Sequence, residues 1–146
     1  MQVLVNVESE AEIPSGLLDR GVRATLEAEE IDRGEVSVTV LDDAGIRAMN
    51  RRWLGRDRPT DVLSFRLHDP GEPVLGDIYL GIDQARRQAE ERGIPLDEEL
   101  LRLAVHGTLH LLGHDHPEGP EREESEMFRL QEALVSRVLA GKGGEP

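Results

Sequence analysis

The stretch HGTLHLLGHDH, residues 106–116, contains four of the five histidines of this 146-residue chain. It overlaps an apolar pattern that runs from about residue 98 to residue 112. The apolar residues recur at steps of three and four, at Leu100, Leu103, Ala104 and Leu111. This period predicts an α-helix that carries His106 and His110 on one face, because they are four residues apart. Both imidazoles would then lie within reach of a single ion.

Gly113 and His116 extend the predicted metal site beyond the helix. A glycine at position 113 is typical of a helix end, where a left-handed residue turns the chain back. His116 would then return to the same point, so that three neutral nitrogens converge and leave one side of the ion open, as in a catalytic zinc site. The chain has no cysteine, and a histidine cluster suits zinc or a similar ion. We therefore predict one Zn²⁺ per chain, bound by His106, His110 and His116.

The spacing His-x-x-x-His-x-x-Gly-x-x-His matches the extended zincin motif at every ligand position and at the glycine. It departs from that motif at Gly107, because zinc peptidases carry a glutamate beside the first ligand as general base. We therefore expect a metal site that lacks the general base of a zinc peptidase. His114 adds a fourth imidazole, which is expected near the metal, facing the substrate or on the surface, since the spacing favours His116 as third ligand.

Charge is distributed unevenly along the chain. The formal net charge is −13, which argues against indiscriminate binding of nucleic acid. Residues 47–58 nevertheless contain five arginines and one acidic residue, a local charge of +4, so that the other 134 residues carry −17. This contrast could guide a polyanion to one place on the surface, although a solvated helix face and loop would give the same pattern.

The hydrophobic pattern predicts one domain over residues 1–146, an α/β or α+β single sheet with helices packed on it. Strands are predicted at residues 2–7, 35–41, 62–67 and 74–80, the last two as an antiparallel hairpin. Helices are predicted at 15–30, 43–54, 82–93, 98–112 and 121–140, with Gly141 ending the last. No apolar segment is long enough to span a membrane and no signal peptide is recognisable, so a cytoplasmic location is expected.

Three stretches together resemble the YbeY family of bacterial metal-dependent endoribonucleases. They are residues 106–116, the segment Pro59-Thr60-Asp61-Val62-Leu63-Ser64-Phe65 and the segment Leu75-Gly76-Asp77-Ile78. The similarity in order and spacing runs from about Asn50 to the final helix. The resemblance implies a zincin-like α+β fold with one small mixed sheet, and a zinc held by His106, His110 and His116.

The same resemblance implies a function. It indicates hydrolysis of single-stranded RNA, with ribosomal RNA as substrate, in maturation of the 3′ end of the small-subunit RNA and in ribosome quality control. The expected partners are RNA and the ribosome or its small subunit, with no membrane and no DNA. Two positions depart from the family: His114 stands where members usually have tyrosine, and Leu54 stands where many have arginine before the glycine that matches Gly55.

Phosphodiester hydrolysis would assign catalytic roles to a few further residues. Arg52 and Arg56, which flank Leu54, are candidates for stabilising charge on the phosphoryl oxygens. With no glutamate at Gly107, proton transfer would fall to His114, to Asp115, to a metal-bound hydroxide or to a group of the substrate. If the ribose 2′-hydroxyl were the nucleophile, the product would be a cyclic phosphate and DNA would not be cleaved.

Few aromatic side chains are available to stack on bases. Aromatic residues make up 3% of the chain, and the candidates are Trp53, Phe65 and Tyr79. A place in the hydrophobic core is the favoured interpretation of each. Weak sequence specificity would follow.

Three other functions would use the same histidines. A zinc peptidase or amidohydrolase would keep the three ligands but would lack its glutamate base. A non-catalytic ribosome-assembly factor would need the metal only for its structure. A purely structural zinc is usually closed by a fourth protein ligand, which His114 could supply.

Overall fold

Four strands form one mixed sheet: β1 (Gln2–Ser9), β2 (Arg33–Leu41), β3 (Val62–Arg66) and β4 (Val74–Gly81). The computed structural model describes residues 2–114 and 125–144. The strand order is β1-β2-β4-β3, in which β1, β2 and β4 run parallel. β3 pairs antiparallel with β4 and lies at the edge of the sheet. The α+β class, the single mixed sheet and the hairpin predicted from the sequence are confirmed.

The helices are α1 (Ser15–Ala28), α2 (Asp43–Leu54), α3 (Ile82–Arg92), α4 (Leu96–Leu111) and α5 (Glu126–Gly144). Asp42 caps the start of α2 by accepting a hydrogen bond from the Gly45 amide at 2.8 Å. Gly55 ends α2 with a φ of 69°, and Gly113 follows α4 with a φ of 93°. Gly113 thus takes the left-handed conformation that the sequence predicted, and Gly55 ends its helix in the same conformation.

The end of α5 differs from the prediction. The helix continues past Gly141 to Gly144, because a glycine without left-handed geometry lowers helix stability by only about 1 kcal/mol and need not end the helix. Residues 121–124, where the sequence predicted its start, lie outside the described residues. In the described part of the chain, no helix combines the length and the apolar character needed to cross a bilayer.

The hydrophobic core lies between the sheet and three helices, α1, α4 and α5. β2 contributes Val36, Val38 and Val40 to this face, as expected for side chains that alternate along a strand. α4 packs against α1, α3, α5 and both hairpin strands, so it is apolar around most of its circumference rather than along one stripe. α2 contacts β2, β4 and α3. Because α4 is buried on most sides, it holds His106 and His110 in a fixed position.

Glu99 is the one fully buried carboxylate among the described residues, with 1% of its surface exposed. Its Oε1 accepts a hydrogen bond from Arg92 at 2.9 Å and lies 3.5 Å from the Arg102 guanidinium. Burial raises the pKa of Glu99, and the charges of Arg92 and Arg102 oppose that shift. The loss of water around the carboxylate therefore outweighs the two ion pairs.

Replacing Glu99 by glutamine should make the protein relatively more stable as the pH rises. A carboxyl group with a raised pKa in the folded state contributes its full stability when protonated, and this contribution is lost as the pH rises above the ordinary value of 4.5. The uncharged Glu99→Gln side chain has no such loss. Urea denaturation of both proteins at about pH 4 and about pH 7 measures the change in relative free energy of unfolding. A change in the opposite direction would mean that the two arginines outweigh burial.

Candidate metal centre and its surroundings

His106 and His110 converge at the end of α4. Their Nε2 atoms are 3.0 Å apart, and the ring planes meet at 80°. Two nitrogens bound to one tetrahedral zinc at 2.0–2.1 Å would be separated by about 3.3 Å, so the pair fits a shared ion closely. His116 and Asp115 lie outside the described residues. The described part of the chain by itself contains no group of three or more His, Cys, Asp or Glu side chains suited to a metal.

A buried hydrogen-bond chain holds the ring of His106. Its Nδ1 lies 2.7 Å from Oε1 of Gln131, and the amide nitrogen of Gln131 donates to Glu132 at 3.1 Å. Glu132 in turn accepts two hydrogen bonds from Arg102, at 2.8 and 2.9 Å. Because Glu132 can only accept, the Gln131 oxygen faces His106, and Nδ1 carries the proton. The lone pair of His106 is then on Nε2, the atom that faces His110.

Gln131 was not among the residues that the sequence predicted for the site. It is 4% exposed on α5, between the buried Met127 and Leu134. The signal was present in the sequence, since a glutamine on the apolar stripe of a helix must find a hydrogen-bond partner. What the sequence could not supply was the identity of that partner on another helix.

Gly107 occupies the position of the peptidase glutamate, and the structure leaves no room there for a side chain. A Cβ atom at Gly107 would lie 2.8 Å from Cγ2 of Ile78 and 3.0 Å from Oγ of Ser64, both on the β3–β4 hairpin. Ser64 also donates a hydrogen bond to the Gly107 carbonyl oxygen at 3.1 Å. A glutamate at this position would point into the hairpin. Steric clash therefore excludes the general base that a peptidase would need here.

An open cavity of ≈ 560 Å³ lies beside the two histidines. It is bounded by the end of α2 and the loop after it, by the edge strand β3 and by the end of α4. Its lining residues are Asn50, Leu54, Arg56, Arg58, Thr60, Asp61, Val62, Leu63, Ser64, His106 and His110. Arg56 and Arg58 therefore share one cavity with the candidate metal ligands.

The loop after α2 is fixed from its back. Asp57 accepts hydrogen bonds from Arg47 at 2.8 and 3.1 Å, and this pairing lowers the pKa of Asp57 and raises that of Arg47. The buried Asn50 donates to the backbone oxygen of Arg58 at 2.9 Å. Arg47 is thus committed to holding the loop, whereas Arg56 and Arg58 form no ion pair with a described residue. Their charges remain available to an anion in the cavity.

Two predicted catalytic residues lie away from the cavity lining. Arg52 is exposed, and its guanidinium carbon lies 5.1 Å from the ring centroid of Trp53. The ring of His114 forms a hydrogen bond with the carboxylate of Glu29, which follows α1. Catalytic roles for Arg52 and His114 stay predictions, as does the role of Asp115.

The chain is similar to known proteins over nearly its whole length. The family model described as endoribonuclease YbeY matches residues 5–139. An endoribonuclease YbeY of Persephonella marina is 40% identical over 142 residues, covering 94% of this chain and 92% of the relative. An endoribonuclease YbeY of Thermus thermophilus is 46% identical over 145 residues, covering 94% of this chain and 99% of the relative. The solution structure of TM1509 from Thermotoga maritima, 30% identical, matches with a TM-score of 0.68 and covers 98% of this chain and 94% of that one.

Substituting Gly107 by alanine should destabilise the protein. The added methyl group must displace Ile78 or Ser64, and overpacking of this kind costs about 1–3 kcal/mol. The matched control is Gly141→Ala on α5, where a Cβ meets nothing within 4 Å and alanine should add up to about 1 kcal/mol of helix stability. Urea denaturation of the three proteins gives the free energies of unfolding. Equal stabilisation by both substitutions would contradict the close packing at Gly107.

Removing the acceptor that orients His106 should weaken zinc binding. Loss of a hydrogen-bond partner behind a metal-bound histidine typically lowers metal affinity about 10–100-fold, and we expect this for Gln131→Leu. Gln131→Glu keeps an acceptor oxygen for His106 but loses the donor to Glu132, so it should bind zinc more tightly than Gln131→Leu. Competition with a chelator measures the zinc Kd, and circular dichroism checks the fold. A Gln131→Leu protein that is folded and binds zinc as tightly as wild type would show that this contact does not act on the metal.

Proposed function

The chain belongs to the YbeY endoribonuclease family, and from this membership we propose that it is a metal-dependent hydrolase that cleaves internal phosphodiester bonds of single-stranded RNA. The observation that carries the proposal is that one cavity is lined both by the two candidate metal ligands and by two arginines. Two imidazole Nε2 atoms lie 3.0 Å apart in its lining, together with Arg56 and Arg58, neither of which forms an ion pair within the described part of the chain. A phosphodiester group needs both, since its charge must be neutralised while its phosphorus is attacked.

We propose Zn²⁺ as the metal, one ion per chain, with His106, His110 and His116 as ligands. The donor set supports this choice, because neutral imidazole nitrogens suit zinc and the chain has no cysteine. When bound, Zn²⁺ supplies a Lewis acid for a phosphoryl oxygen and makes a coordinated water more acidic. The hydrogen bond from His106 to Gln131 fixes which of its ring nitrogens faces the ion.

The other residues of the cavity bind and orient the substrate. Arg56 and Arg58 would hold the phosphate and stabilise negative charge that develops on its oxygens. Arg47 and Asp57 keep these arginines in place by fixing the loop. Gly107 cannot provide a base, so we propose that His114, Asp115 or a group of the RNA accepts the proton. The steric block at Gly107 is also what disfavours a peptidase or amidohydrolase.

We further propose ribosomal RNA as the natural substrate, at the 3′ end of the small-subunit RNA and in ribosome quality control. The ribosome or its small subunit would be the partner, the cytoplasm the location, and residues 1–146 one functional domain. The charge distribution supports dependence on such a partner. A net charge of −13 opposes binding of free RNA, and the local charge of +4 at residues 47–58 acts only on a strand already brought close.

Cleavage of a labelled single-stranded RNA by zinc-loaded wild type, His110→Ala and Arg56→Ala tests the proposal. We expect His110→Ala to lose zinc and cleavage together while remaining folded. Arg56→Ala should lower kcat/KM on the order of 10²-fold, the usual loss when one charge-stabilising donor is removed. Arg20→Ala is the matched control, because Arg20 is an exposed arginine on α1 that does not line the cavity.

Two outcomes would contradict parts of this proposal. No cleavage of RNA or of intact ribosomes by zinc-loaded wild type would favour a non-catalytic assembly factor. Equal losses of kcat/KM in Arg56→Ala and Arg20→Ala would mean that total charge matters and that the arginines of the cavity have no specific role.

A further inference from the structure

Three of the four aromatic side chains of the chain form one row. The chain has one tryptophan, one tyrosine and two phenylalanines. The ring centroid of Trp53 lies 6.5 Å from that of Phe65, which lies 5.9 Å from that of Tyr79, both in edge-to-face geometry. The row starts on α2, crosses the edge strand β3 and ends on β4. The hydrophobic core is built from aliphatic side chains and methionine. Packing of the core therefore does not explain why three of the four aromatic residues form one continuous row.

The row lies on the face of the sheet opposite the histidines. Side chains alternate between the two faces of a strand, and Ser64 faces α4 through its hydrogen bond to Gly107. Phe65, the next residue, therefore points to the other face, where Trp53 and Tyr79 meet it. We refer to Trp53, Phe65 and Tyr79 as the aromatic row.

The aromatic row is open to solvent. Trp53 is 57% exposed, and Phe65 and Tyr79 are half-buried. The expectation of a place in the core is therefore wrong for Trp53. A tryptophan normally buries most of its large apolar surface, so this exposure calls for an explanation other than stability.

The surroundings of the aromatic row are positively charged. The guanidinium of Arg52 lies over the Trp53 ring, and Arg51 is exposed on the same helix. Neither arginine forms an ion pair with a described residue. Burial and the nearby Asp77 raise the pKa of Tyr79, so its hydroxyl stays neutral. A basic surface with aromatic rings in an otherwise acidic chain is complementary to a charged strand with flat bases.

The aromatic row is continuous with the cavity at the edge of the sheet. Leu54, which follows Trp53, lines the cavity, and so does Leu63, which pairs with Tyr79 across the hairpin. A strand whose phosphate lies at the histidines can reach the aromatic row by crossing β3. No described strand pairs with the outer side of β3, so its edge is open to such a path.

We propose that the aromatic row binds an unpaired base of the RNA by stacking, on the far side of β3 from the cleaved phosphate. The inference rests on the proposed function and adds a subsite to it. Stacking on aromatic rings tolerates every base, since each has a flat π-face, so this subsite selects unpaired bases rather than a sequence. A base within a duplex cannot reach the row, because both of its faces are covered by its neighbours.

Trp53 is the only tryptophan of the chain, so its fluorescence reports directly on this subsite. We would titrate the zinc-loaded protein with a single-stranded 2′-O-methyl RNA oligonucleotide, checked by electrophoresis to remain intact. The unlabelled oligonucleotide is used to measure quenching of Trp53. The same oligonucleotide with a terminal fluorescent label gives the Kd of every variant by anisotropy, including those without a tryptophan. The expected results are quenching of Trp53 and a Kd that rises roughly tenfold to a hundredfold in Trp53→Ala, the range for losing one stacked base. Trp53→Phe should bind nearly as wild type, and the same oligonucleotide in a duplex should bind much more weakly.

The matched control is Leu4, an exposed apolar residue on β1 that faces the same side of the sheet but lies at its other edge. Leu4→Ala should leave the Kd unchanged, and a Leu4→Trp, Trp53→Phe protein should show no quenching. A folded Trp53→Ala protein with unchanged Kd would overturn the inference. So would binding to intact small subunits that depends on Trp53 without any binding to the free oligonucleotide, since the row would then contact protein.

Cleavage of unmodified RNA by wild type is measured in parallel, and it separates the two proposals. Cleavage together with an unchanged Kd in Trp53→Ala rejects the stacking subsite and leaves the nuclease. Absence of cleavage rejects the nuclease whatever the fluorescence shows.

Discussion

The end of α4 lies against the β3–β4 hairpin at two points where glycine removes the side chain that would separate them. Gly107 lies over Ile78 and Ser64, and Gly76 on β4 receives the side chain of Leu111. Any bulk at either point would lift the helix from the sheet. This contact sets the position of both histidines relative to β3 and hence to the cavity. The metal-binding geometry and the missing peptidase base thus follow from the same packing constraint.

The histidines and the arginines that line the cavity differ in how firmly the fold holds them. The histidines belong to a buried helix, and the chain of hydrogen bonds through Gln131 and Glu132 fixes the orientation of the first ring. Arg56 and Arg58 lie on a surface loop held by the hydrogen bond from Asn50 and by the exposed pair of Arg47 and Asp57, and exposed ion pairs contribute little to stability because water screens them. Rigid metal ligands therefore share the cavity with adaptable binding residues, which suits a substrate whose phosphates vary in position.

The sequence predicted what depends on short-range spacing. The element order, the hairpin, the left-handed Gly113 and the pairing of His106 with His110 all follow from periods of two and four and from glycine at helix ends. It did not predict Gln131 behind His106, because that contact joins residues on two helices. Nor did it predict the exposure of Trp53 or the steric role of Gly107, since both depend on which surfaces α2 and α4 meet in the folded chain. The third ligand, His116, falls outside the described residues and stays a prediction.

The open edge of β3 has a further consequence for the behaviour of many copies together. An unpaired edge strand offers its backbone groups to the sheet of any neighbouring molecule, which is a common route to aggregation. β3 is only five residues long and ends at the exposed Arg66, and both features make it a poor template for another strand. The net charge of −13 adds repulsion between copies. The acidity that seems ill suited to a polyanionic substrate thus protects the edge on which access to the cavity depends.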